Sequence, residues 1–257
     1  MKLGLVTYDI AKDWDIDTMI GNLEETEFDG VELRTTHAHG VEVALGPEKR
    51  EEVAGTFYNS RIELVALGSV CEYHSDDPDQ VEKNIEETKE FIQLAADVGA
   101  RGVKVRPNGL QEDKGIPIQE TLEQIGHSLR ICGEFAEDYG MELYLEVHGR
   151  GTSHPPYIRT ILETANHSRV KACWNCNRTD LDETGSIETY FEMLKPWIAH
   201  VHLHDLFDKD YPYNALFNLL NSMNYDGYTM SEMPASDDPL RLMHYYKGVW
   251  EKLQQSS

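Results

Sequence analysis

The chain has 257 residues, 40% hydrophobic and 27% charged, which is ordinary for a folded globular protein and excludes wholesale disorder. Its formal charge of −23, from 46 acidic against 23 basic residues, repels phosphate backbones and anionic lipid, so neither nucleic acid nor a membrane is an expected partner. No apolar run is long enough to cross a bilayer, and the opening "MKLGLVTYDIAKDWD" reads as a strand start without a signal peptide's apolar core, so a cytoplasmic location is expected.

Taken in chain order, short apolar runs alternate with amphipathic ones. Strands are predicted at 2–8, 30–34, 63–68, 102–106, 142–148, 170–174, 198–202 and 228–232. Between them, "PEKREEVAGTFYNS" opens on proline and an acidic residue, as helix N-termini prefer. "DPDQVEKNIEETKEFIQLAADVG" places Val81, Ile85, Phe91, Ile92 and Leu94 near helical spacing and stops on Gly99, and "PIQETLEQIGHSLRICGEFAEDYG" stops in the same way on Gly140. Further helices are predicted at 156–165, 186–195, 213–223 and 238–254. Strands alternating with helices imply parallel pairing through right-handed crossovers. Eight such units in this length make an α/β protein with the size of a single (β/α)8 TIM barrel, spanning 1–257 as one domain. A doubly wound open sheet is the alternative, but no G-x-G-x-x-G follows the first strand.

Successive strand residues face opposite sides, so parity sorts each strand into a helix-facing and an axis-facing set. In "GVKVRP", Val103 and Val105 face the helices and Lys104 and Arg106 face the axis. In "MELYLEVHG", Tyr144, Glu146 and His148 face in, and in "AHVHLHD" so do His200, His202 and His204. Glu32 and Arg34 share the inward parity of "VELR", and Glu232 faces in if Tyr228 and Met230 do. An axis filled for stability alone would carry branched apolar residues. Buried charges must pair, bind a metal or bind substrate, because each unpartnered one costs several kcal/mol. A structural ion pair between Glu32 and Lys104 is one outcome; Arg34 and Arg106, higher in the barrel, could hold a substrate oxygen. His74 and His154 are expected on the rim.

"CWNCNRTD" contains a C-x-x-C at Cys173 and Cys176. It lacks the second pair or nearby histidines of a zinc site, and it follows a late strand, unlike a thioredoxin motif. Its cysteines are therefore expected to be structural.

"FDGVEL", "LEVHG", "HVHLHD" and "YDGYTMSEM", in this order and spacing, resemble the motifs of strands 2, 5, 7 and 8 of the xylose isomerase-like TIM barrel superfamily. That superfamily includes sugar isomerases and epimerases, inosose and dehydroshikimate dehydratases, and endonuclease IV-like nucleases. The resemblance implies one divalent ion held by Glu146, Asn175, His202 and Glu232, with Asn175 standing where the family usually has Asp. It also implies Glu146 and Glu232 as the acid–base pair. His148, Arg34, Arg106, His204 and Arg178 are the candidates for substrate, Arg178 standing where the family commonly has a histidine. Such a donor set suits Mn²⁺, Mg²⁺ or Co²⁺ and accepts Zn²⁺.

The expected function is a divalent-metal-dependent isomerase or epimerase of a sugar or polyol, acting by proton abstraction beside a carbonyl through an enediolate. A lyase or dehydratase acting on a ketosugar, inosose or 3-keto-glycoside begins with the same step. A degenerate barrel that binds carbohydrate without catalysis is the non-enzymatic alternative, and the acidic surface opposes a nuclease. With no Walker-type phosphate cradle, an unphosphorylated sugar is slightly preferred, although Arg34, Arg106, Arg150 and Arg178 could serve an anion. Oligomers are common among such barrels, so the resemblance also suggests a homo-oligomer.

Overall fold

The computed structural model describes residues 1–255. Eight parallel strands close in chain order into a barrel: β1 (Lys2–Val6), β2 (Gly30–Arg34), β3 (Glu63–Glu72), β4 (Gly102–Arg106), β5 (Glu142–Glu146), β6 (Val170–Trp174), β7 (Ile198–Leu203) and β8 (Tyr228–Ser231). Around them run α1 (Ile16–Glu25), α2 (Pro47–Tyr58), α3 (Pro78–Val98), α4 (Ile118–Asp138), α5 (Pro155–Ala165), α6 (Glu188–Leu194), α7 (Tyr213–Ser222) and α8 (Pro239–Gln255). The closed ring excludes the open-sheet alternative. Among the described residues no helix is long and apolar enough to cross a membrane.

Local signals account for most boundaries. Pro47 and Pro78 occupy the first helical turns of α2 and α3, and Gly99 ends α3 with φ +81°, where a side chain would be strained. Helix α1 is absent from the sequence prediction. Its amphipathic stretch is short, with only Met19 and Leu23 buried, and its start is set by Asp15, whose carboxylate accepts the Thr18 N–H. Strands β1, β5 and β8 end one or two residues before the predicted limits, so Tyr8, His148 and Glu232 leave the sheet at its C-terminal rim.

The helix-facing parity set (Val103, Val105, Leu143, Leu145, Val201 and Leu203) is buried in the main apolar cluster between barrel and helices. The axis has its own floor. Val6, Val65, Tyr228 and Met230 form one cluster, and Ala66, Tyr144 and Cys173 another. A register shift in β3, opposite Val31 and Glu32, lets the adjacent Val65 and Ala66 both serve the floor. Tyr228 and Tyr144 fit because neighbouring inward positions are glycines. A Cβ on Gly30 would stand 2.7 Å from Tyr228, and one on Gly102 would stand 2.9 Å from Tyr144. Above this floor the axis turns polar, and there the side chains of the candidate site begin.

Two glycine substitutions should therefore act in opposite directions. A Cβ on Gly102 would meet the Glu142 carbonyl oxygen at 2.3 Å, whereas one on Gly55, inside α2, meets nothing within 4 Å. Gly102→Ala should lower the unfolding free energy by about 1–3 kcal/mol, and Gly55→Ala should raise it by about 0.5–1 kcal/mol. Urea denaturation of the two variants reads both signs.

Candidate active site

The polar layer starts with Glu32, whose side chain is fully buried. One of its oxygens, Oε2, accepts from two imidazoles, His200 Nε2 at 2.8 Å and His202 Nε2 at 3.0 Å. Burial alone would raise the Glu32 carboxyl; the two histidines reverse this and hold it well below the usual range. An ionised carboxylate only accepts, so each Nε2 carries the hydrogen, and Nδ1 of His202 is left facing the mouth. His200 is stacked on Tyr144, with centroids 4.7 Å apart, and burial lowers its pKa.

His202 Nδ1 lies 3.4 Å from Glu232 Oε1 and 3.7 Å from Glu146 Oε1 yet makes no hydrogen bond. One ligand atom from each of these three residues lies within 4.8 Å of the others. Asn175 is buried in the same cavity, and its Oδ1 also lacks a partner. Burial opposes charge on His202, but Cys173, Glu32 and Glu232 outweigh it and hold the imidazole well above its usual range. The excess of negative charge around Nδ1 can be met by a proton or by a cation.

Each glutamate divides its two oxygens. Glu146 Oε2 accepts from Lys104 Nζ at 3.0 Å, and Lys104 and His202 overcome burial to keep Glu146 well below the usual carboxylate range. Glu232 Oε2 lies 3.2 Å from His204 Nε2; burial would raise Glu232, but His202 and His204 hold it down. So Lys104 does not form the anticipated ion pair with Glu32. Glu32 is bonded to histidines, and Lys104 reaches one layer up to Glu146.

Glu32, Lys104, Glu146, Asn175 and Glu232 line a cavity of about 270 Å³ at the C-terminal ends of the strands, where barrel active sites form. Arg34, Arg106, His148 and His204 line it as well, as do Asn177, the fallback for Asn175 in the sequence, and Tyr8, which the sequence did not single out. Tyr8 continues the inward parity of Gly4 and Val6, which is the signal that could have found it. Arg178 lies elsewhere: it is exposed and paired with Asp210 at 2.6 Å. Arg150 borders a separate surface pocket. His154 caps α5 and packs edge-on against Tyr157 and Tyr190, and His74 packs beside Gly109. All four cysteines are buried free thiols.

The loop that carries Asn175 is held from below. Cys176 takes a left-handed φ of +51°, and a short 3₁₀ turn, Arg178–Asp180, follows. Asp180 Oδ2 accepts from the Asn177 N–H at 2.8 Å and the Tyr211 hydroxyl at 3.0 Å, while Trp174 Nε1 donates to Tyr211. Asn177 Nδ2 donates to the Val147 carbonyl, tying this loop to the end of β5. The same turn points Arg178 outward.

The closed barrel and the position of this cavity match a fold family. The xylose isomerase-like TIM barrel profile matches residues 20–249, and the chain belongs to that family. No curated protein sequence matches it significantly. Among solved structures, D-psicose 3-epimerase with D-tagatose from Clostridium cellulolyticum H10 superposes with a TM-score of 0.81 at 14% identity, covering 100% of this chain and 99% of the other. The IOLI protein with a bound zinc atom gives 0.74 at 18%, covering 98% and 96%. The probable 3-DHS dehydratase AsbF from Bacillus anthracis gives 0.72 at 16%, covering 98% and 99%. At these identities the likeness establishes the fold.

Asp180 supplies a pH-dependent test of the loop. Burial pushes its carboxyl up to about 8, far above the 3.8 of an exposed one. A carboxyl whose folded pKa is raised binds more protons folded than unfolded, so its contribution to stability falls as pH climbs from about 4 to about 8. Asp180→Asn keeps an acceptor oxygen without the charge. The variant's stability relative to wild type should rise across that window and level off above it, as measured by denaturation at several pH values.

Proposed function

We propose that the protein is a divalent-metal-dependent isomerase or epimerase that moves a proton at the carbon beside the carbonyl of a sugar or related polyol, through an enediolate. One observation carries this reading: the donors of Glu146, His202 and Glu232 converge to within 4.8 Å, and the oxygen of Asn175 enters the same cavity. His202 Nδ1 and Asn175 Oδ1 are buried without partners, a costly arrangement unless something binds there. Two carboxylates, an imidazole and an amide oxygen fit Mn²⁺, Mg²⁺ or Co²⁺ and would accept Zn²⁺. A bound ion would polarise the carbonyl and favour the negative charge that develops during proton removal.

The acid–base work then falls to the chain. Glu146 and Glu232 each keep one oxygen toward the ion position and the other against a cationic or donor side chain, Lys104 and His204 respectively. They reach the cavity from β5 and from the end of β8. A sugar carbon held between them could lose a proton to one glutamate and regain it from the other, which inverts or moves the stereocentre. His148, whose Nδ1 is buried without a partner, is positioned to bind a hydroxyl. The epimerase likeness and the zinc-bound likeness both support this assignment.

A lyase is the second reading, favoured by the likeness to a probable dehydratase over nearly the whole chain. Both reactions begin with the same abstraction and diverge only in whether a β-oxygen substituent leaves. Incubating the metal-loaded protein with ketoses, inososes and 3-keto-glycosides in D₂O separates them. Deuterium at the α-carbon with unchanged composition is the expected result; loss of water or alcohol would assign the lyase, and no exchange in any substrate would contradict proton abstraction. Glu146→Gln and Glu232→Gln should each slow exchange by about 10²–10⁴-fold.

Asn175 is uncharged, so Glu146 and Glu232 just neutralise a divalent ion. Asn175→Asp should raise metal affinity by about tenfold or more, measured by competition with a chelating dye. Unchanged affinity would place Asn175 outside the ligand set.

A further inference from the structure

Charge is distributed in the cavity quite differently from the rest of the chain. Overall, acidic residues outnumber basic ones by 46 to 23. In the cavity wall Glu32, Glu146 and Glu232 are matched one for one by Lys104, Arg34 and Arg106. All three carboxylates have neighbours besides the arginines: Glu32 has two histidines, Glu146 has Lys104, and Glu232 Oε2 lies 3.2 Å from His204 Nε2. The two arginines do not share in this. Among the described residues no carboxylate lies within 4.0 Å of the Arg34 guanidinium, which instead lies over the Tyr8 ring, 5.2 Å from its centroid. Arg106 has only a 3.7 Å approach from Glu72 and a 3.3 Å bond to the Val70 carbonyl, and its Nε is buried without a partner.

The arginines are also held in place. The Arg34 N–H donates to Thr7 Oγ1 at 2.9 Å, and its carbonyl accepts from His39 Nε2 at 2.8 Å. Arg106 is paired with Glu72 in the β3–β4 ladder. They stand at the C-terminal ends of β2 and β4, whereas the convergent donors come from β5 to β8. The cavity therefore has two halves: one built for the cation and the reacting carbon, and one with two guanidinium groups, of which Arg34 has no carboxylate within 4.0 Å and Arg106 has only the 3.7 Å approach of Glu72.

We infer, building on the function proposed above, that the substrate is an anionic sugar, with a carboxylate or phosphate at the end remote from its carbonyl, and that Arg34 and Arg106 bind that group. With a divalent ion in place the balanced wall has a surplus of positive charge, and the uncharged Asn175 adds no carboxylate to reduce it. A neutral polyol would leave two guanidinium groups facing an uncharged chain end in a confined space. An anion pairs with both, and guanidinium forks match carboxylate and phosphate oxygens. This reverses the slight sequence-based preference for an unphosphorylated sugar if phosphate is the group, and narrows it to sugar acids if carboxylate is.

Isothermal titration of the full-length, Mn²⁺-loaded protein with a 2-ketohexose, its 6-phosphate and its 6-carboxylate tests this without relying on turnover. One of the two anionic compounds should bind at least about tenfold more tightly than the neutral ketose, and which one it is identifies the group. Arg34→Gln and Arg106→Gln should each weaken the preferred anion far more than the neutral ketose, removing most of that preference, while leaving Mn²⁺ binding unchanged. Equal affinity for all three compounds would overturn the inference, as would arginine variants that weaken neutral and anionic ligands alike. Deuterium exchange on the same samples keeps the two proposals apart. Anion preference without exchange supports the arginine site and counts against the proposed reaction; exchange in the neutral ketose without anion preference does the reverse.

Discussion

The buried carboxylate of Glu32 organises the site. By accepting from the Nε2 of both His200 and His202, it fixes two rings with one charge and sends the Nδ1 of His202 toward the mouth of the barrel. A second-layer carboxylate behind a ligand histidine sets which nitrogen is free and makes it a better donor. The fold makes room for it: a Cβ at Gly68 would stand 2.8 Å from Glu32 Oε1, so the inward position beside it on β3 is glycine. Below lies the apolar and aromatic floor; above lie Glu146, Glu232 and Asn175. Without that carboxylate His202 would lose the hydrogen bond to Nε2 that leaves Nδ1 free for the remaining donors.

Placing so many ionisable groups on a barrel axis is expensive unless each is partnered. The protein meets this cost by layering. Histidines sit on Glu32, Lys104 sits on Glu146, and His204 sits beside Glu232, so no inward carboxylate is isolated. What is left over is informative: His202 Nδ1 and Asn175 Oδ1, buried without partners, and two arginines at the ends of β2 and β4. The chemistry proposed for the site builds on those leftovers, the two glutamates beside them and His148.

Much of this was legible in the sequence, because a strand's two-residue period survives in any barrel. The inward parity of Glu32, Lys104, Glu146 and the three histidines of "HVHLHD" needed no coordinates, and the polar axis followed from it. Partnership was not legible. Whether Lys104 meets Glu32 or Glu146 depends on the stagger between strands, which no single strand encodes; the ladder sets Lys104 opposite Tyr144, one layer below Glu146. Arg178 shows the same limit in a loop. Its spacing from Asn175 is that of the family's substrate-facing residue, but the Asp180-capped turn directs it to Asp210 at the surface. Helix α1 escaped prediction because ten residues with two buried side chains carry little periodic signal.

The central claim is that Glu146, Asn175, His202 and Glu232 together hold one divalent ion. Crystals grown with Mn²⁺ and measured at a wavelength where manganese scatters anomalously test it most directly. The account predicts a single strong anomalous peak within bonding distance of His202 Nδ1, both glutamates and Asn175 Oδ1. A cavity without a peak at saturating Mn²⁺, or a peak bound by other residues, would contradict it.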